Sequence, residues 1–229
     1  MGMSDDVMIA RPRRERAGFA RWWRSTSLTG GGPDGNERLT AVNGAILIIL
    51  LAVIGFTIPQ LRQFIWLHLF MGLLLIGPVL LKMASTGYRF FRYYTRDSEY
   101  QRKGPPEIVL RLIAPLVVIS TIGVFVTGIA LLIVGPTHRD PWLLLHKVTF
   151  IVWIVFTSVH ILGHLPAVAR ALGIGRRGAP QGLSATGGAT GRWIALSGAL
   201  VAGLVLAVVL IPSFGSWTAH SVFLHHHHH

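Results

Sequence analysis

An all-α integral membrane protein, a bundle of five transmembrane helices, is what three features of this sequence predict together. Hydrophobic residues make up 52% of the chain and charged residues 13%, and the mean hydropathy is +0.56, well outside the range of water-soluble domains. Five apolar stretches are each long enough to cross a hydrocarbon core of about 30 Å. The basic residues also fall between those stretches. Of the 21 Lys and Arg, all but Arg62, Arg139 and Lys147 lie in the N-terminal tail, in the second-to-third and fourth-to-fifth connections, or in the span ends that adjoin them. That is the positive-inside pattern, so it accounts for the net charge of +12 without nucleic acid. It places the N-terminus in the cytoplasm and the C-terminus outside the plasma (inner) membrane.

Residues 1–38 form a basic, aromatic tail ending in a Gly-rich linker; its Arg and Trp residues suit anionic headgroups. The first span runs from about Leu39 to Ile58 and stops at Pro59, with Asn43 as a polar spot near its start. The second covers about Phe64 to Tyr88, with a kink expected at Gly77-Pro78 and an interfacial extension bearing Tyr88, Phe91 and Tyr94. The third opens after Gly104-Pro105-Pro106 and ends near Val134; Pro115, Gly123, Thr127 and Gly128 point to a bend and close packing. Asp140-Pro141 opens the fourth, Trp142 to Pro166, which completes a transmembrane bundle over residues 39–170. A cytoplasmic Gly-rich linker (171–192) leads to a fifth span (193–212), whose Ser197, Gly198 and Gly203 fit either an accessory helix or a subunit contact within a homo-oligomer. Residues 213–224 are expected as an external tail, in which His220 stands alone, and 225–229 are an expression tag.

The fourth span carries the chemistry. His146, His160 and His164 interrupt an otherwise apolar helix, and ionisable groups inside a membrane are costly enough to mark function. At about 100° and 1.5 Å per residue, His146 and His160 share a face roughly 40° wide and lie about 21 Å apart. His164 returns to that face one turn on. In the second span His68 sits a few residues in from the outer end, as His146 does in the fourth. The two are therefore at equal depth, and facing imidazoles at equal depth make a bis-histidine b-type haem site. Gly72 and Thr149 are small enough to admit a flat macrocycle, and Lys147 and Arg62 are near enough to the outer interface to meet propionates.

At the inner end Lys82 follows His68 by the interval that separates His160 from His146, so these two also share a depth. Three roles are open for Lys82: snorkelling to the interface, pairing with a propionate or quinone oxygen, or ligating iron opposite His160. His164 is expected to orient a ligand or meet a propionate. The absence of cysteine removes disulfides, thiolate iron–sulfur ligation and covalent haem attachment, leaving non-covalent haem b.

Histidines on a second and a fourth span, two of them fourteen apart on one helix, resemble the membrane-bound b-type cytochromes. These are the cytochrome b561 family and the cytochrome b subunits of hydrogenases and formate dehydrogenases. The similarity covers about residues 40–170. It implies His68 and His146 as axial ligands of one haem, and His160 as a ligand of a second haem or a quinone-site residue. Two-haem members usually offer a fourth ligand histidine, where this chain has Lys82. The implied activity is relay of electrons between the membrane quinone pool and an extracytoplasmic redox protein. With no flavin or nucleotide domain, the chain would serve as an electron-transfer subunit of an oxidoreductase complex. Two other classes compete: a metal-ion binding or transport protein using the His160–His164 chelating pair, and a non-catalytic assembly protein. Transport usually needs intramembrane carboxylates, and the spans carry none.

Overall fold

Inside a membrane every backbone N–H and C=O needs an internal partner, so an apolar chain with no strand pattern becomes helix. The structure, a computed structural model, describes residues 31–95, 101, 108–171 and 188–219. All regular structure among them is helical. The long helices are α1 (Gly32–Thr57), α2 (Leu61–Tyr94), α3 (Ile108–Val134), α4 (Asp140–Ala171) and α5 (Ala189–Val209). All five are long and apolar enough to cross a membrane. Large apolar side chains such as Leu112, Ile133, Leu144 and Leu162 point outward, as suits helices bathed in lipid.

The boundaries follow local chemistry. Ile58 keeps helical φ/ψ and bonds the Gly55 carbonyl at 3.2 Å, and Pro59, with no N–H to give, ends α1 there. The first turn of α2 is set off by Phe64, whose φ of −111° and ψ of 25° leave the helical region. Beyond it the helix runs through Pro78 without a further break, so the mid-span kink expected there does not interrupt it. With 34 residues, α2 is about 51 Å long and overshoots the hydrocarbon core, carrying Tyr88, Phe91 and Tyr94 beyond it. α4 likewise continues through Pro166.

Short turns at 58–60 and 135–139 make two antiparallel hairpins, α1–α2 and α3–α4. Within each hairpin the helices pack closely along their length. Between hairpins α1 touches α4 and α2 touches α3 only lightly, while α2 and α4 lie across from one another. The result is a four-helix ring with a seam through it, and the histidine-bearing helices stand on opposite sides of that seam. We call the end with the two turns the hairpin end, and the other the far end.

α5 packs along the outside of α2 more tightly than an accessory helix requires. A Cβ on Gly77 would overlap the Ala199 carbonyl oxygen, and one on Gly203 would overlap the Leu74 carbonyl oxygen. Backbone therefore meets backbone, which only glycine permits. After α5 the chain folds back in a 3₁₀ turn (Ile211–Phe214) and a short helix, α6 (Gly215–Thr218). The start of the expected external tail is thus part of the fold. Phe214 and Trp217 are buried against Leu73, Leu131, Leu132 and Ala207, and the cluster closes the hairpin end over Trp142 and Ile65.

Candidate functional site

Thr57, the last residue of α1, and His68, two turns into α2, meet across the first hairpin. Thr127 on α3 and His146 on α4 meet in the same way across the second. Thr57 Oγ1 lies 2.8 Å from His68 Nδ1 and donates its own proton to the Ile54 carbonyl at 2.6 Å. Thr127 Oγ1 lies 2.9 Å from His146 Nδ1 and donates to the Gly123 carbonyl at 2.7 Å. A hydroxyl has one proton, so with it committed to a carbonyl the oxygen accepts from the ring. This assigns each imidazole the Nδ1–H tautomer, with the lone pair on Nε2. Each Nδ1 is thus engaged by a buried threonine, and the Val124 backbone also lies within hydrogen-bonding reach of the His146 ring. The two rings come within electrostatic range of each other across the seam.

α3 supports His146 in a second way. A Cβ on Gly128 would come within 3.3 Å of His146 Cε1, so the ring lies against bare backbone there. Thr149, expected to make room for a macrocycle, instead packs on Gly123 and lies 3.3 Å from Thr127, binding α3 to α4. Trp153 donates to Thr121 at 3.0 Å and reinforces the same pair. Gly72, expected in the same role as Thr149, faces Ile54 of α1. Arg62 and Lys147 are exposed near the hairpin end, at the rim of the site.

Toward the far end Lys82 and His160 do come to the same level and within electrostatic range, as their equal intervals predict. Lys82 Nζ donates to the Thr40 carbonyl of α1 at 2.8 Å, which leaves two of its N–H groups for other acceptors. Around it Thr40 bonds Ser85 at 3.1 Å and Asn36 bonds the Ser85 carbonyl at 3.0 Å. The His160 ring stands edge-on to His164 with centroids 4.5 Å apart, and its Nδ1 is buried without a partner among the described residues. Thr157 Oγ1 and Asn43 Oδ1 are in the same condition; Asn43 is fully buried and uses its amide N–H on the Pro78 carbonyl at 2.8 Å. Among the described residues no three His, Cys, Asp or Glu side chains converge as they would around a metal ion. His68, His146 and His160, all named as metal ligands from the sequence, thus do not form one cluster: His160 stands apart from the other two.

Sequence reasoning missed Thr57 altogether and took Thr127 and Gly128 only as packing residues. A hydroxyl one hairpin arm away, at the depth of a histidine, was the available signal. No family model matches the chain, nor does any curated protein or solved structure.

Proposed function

We propose that this chain is a membrane b-type cytochrome. His68 and His146 would hold one haem b in the seam between the hairpins. The observation that carries the reading is the matched pair of imidazoles, each with Nδ1 within 3 Å of a buried threonine hydroxyl on the other arm of its hairpin, which assigns Nε2 the lone pair. Iron-ligating histidines commonly need that arrangement, with one nitrogen for the metal and the other anchored to a hydrogen-bond acceptor. The light packing between hairpins supports it too, since a planar macrocycle needs a gap where helices otherwise close to 8–10 Å. The haem would supply a one-electron carrier of b type. The protein's part is to hold the two rings at one depth and in one tautomer, with Arg62 and Lys147 at the rim for the propionates.

The far end supports a polar ligand with donors and acceptors of its own, as a quinone or quinol head has. Lys82 and Thr157 can donate to such a group and Asn43 Oδ1 can accept from it; His160 Nδ1 is also unpartnered. With Lys82 engaged by Thr40, and no histidine on α2 opposite His160, a quinone head fits this end better than a second haem. On this reading the hairpin end faces outward, and electrons pass between the quinone pool and an extracytoplasmic redox protein. The ion-transport reading draws nothing from the far end, where no third His, Cys, Asp or Glu among the described residues joins the two neighbouring imidazoles.

Purified protein is expected to be red, with a reduced b-type spectrum and at least one haem per chain. Colourless protein retaining stoichiometric zinc would reverse the choice. Reporter fusions after Arg96 and after Arg139 should report inside and outside respectively.

A further inference from the structure

Thr57 and Thr127 are 0% and 3% exposed, so neither hydroxyl has water to turn to. Each gives its proton to a carbonyl of its own helix, three residues back at Ile54 and four back at Gly123. That bond locks the hydroxyl rotor, and the oxygen that faces the histidine can only accept. The acceptor is a neutral hydroxyl in both cases. It withdraws less of the Nδ1 proton than a carboxylate would, so the rings keep imidazole character and donate to a metal through Nε2 with matched, moderate strength.

Resting on the haem reading, we propose that Thr57 and Thr127 are positioning residues: they select Nε2 as the ligating nitrogen, fix the ring planes and set the reduction potential of the bound haem. The two act equivalently from opposite hairpins, and Gly128 lets the His146 ring settle against α3 while Thr127 holds it. Removing either acceptor weakens the ring as an electron donor. A weaker donor stabilises oxidised iron less, so the potential moves in the positive direction.

The test uses the full chain and four variants: Thr57→Val, Thr127→Val, Thr57→Ser and Thr127→Ser. Helical content by circular dichroism identifies any variant that fails to fold. Each valine variant should bind haem about 10- to 100-fold more weakly, and the haem it retains should titrate at a more positive potential. The serine variants keep the hydroxyl and should restore both. In haem-free protein, nitrogen NMR of the rings should show the Nδ1–H tautomer at His68 and His146, with the preference lost at the matching histidine in each valine variant. Wild-type potential and tautomer in the valine variants would overturn the assignment, as would serine variants that behave like valine. Should the wild type bind no haem, the parent reading fails and the potential-setting role with it. Should it bind haem while the valine variants match it, this role alone fails.

Discussion

At the hairpin end of the seam each imidazole has its Nδ1 engaged by a threonine hydroxyl; at the far end Asn43 Oδ1, Thr157 Oγ1 and His160 Nδ1 are buried with no partner among the described residues. The same two hairpins build both ends at equal intervals along α2 and α4, so topology does not explain the contrast. Threonine placement does. Where a hydroxyl on the first arm of a hairpin meets a histidine on the second, the ring is, on the proposed reading, held for a metal that needs only a lone pair. Where the neighbours are an amide and a tethered lysine, the polar atoms wait for a ligand that brings its own hydrogen-bonding groups. Each unmet buried group costs roughly 1–3 kcal/mol, a cost that a ligand could relieve.

The contrast can be broken most severely through the helix that closes the hairpin end. Gly203→Leu places a side chain where the Leu74 carbonyl sits, forces α5 off α2 and pulls away the Phe214 and Trp217 cap. Loss of most folded protein in detergent is expected, read as yield and thermal stability. Gly198→Leu, at a position with nothing within 4 Å, should match wild type and serves as the control. His160→Ala should leave haem content unchanged and slow quinol-driven reduction about tenfold, the worth of one charge-assisted hydrogen bond of ~1.5 kcal/mol. If haem content falls by half instead, His160 holds a second haem and the two ends are alike after all. Lys82→Gln removes a charge but keeps donors toward Thr40, so a several-fold rise in the quinol concentration for half-maximal reduction is expected, with stability little changed. Lys147→Ala, at an exposed rim position, should weaken haem binding by about 1 kcal/mol or less.

Much of this arrangement was legible in the sequence, because membrane helices obey strict length and period rules. Similar offsets from the outer ends of the two spans put His68 and His146 at one depth, and the same counting brought Lys82 within electrostatic range of His160. Depth is one coordinate; rotation about the helix axis is the other. Thr149 and Gly72 were set at the right level but face α3 and α1, because the rotational setting of a helix comes from packing with its neighbour. Thr57 escaped notice for the same reason, since a threonine closing an apolar span looks like an ordinary end residue. The close docking of α5 lay behind glycines that serve many purposes. Phe214 and Trp217 follow Pro212, where a chain leaving a membrane is expected to run free. Two aromatics three residues apart form one apolar face, and that face folded back.

The central claim is that His68 and His146 share one haem. Changing each singly to Ala and recording bound haem with the reduced and oxidised spectra tests it directly. The same haem should disappear from both variants, with no six-coordinate low-spin species left at the hairpin end. A six-coordinate haem that persists there in either variant would contradict the pairing.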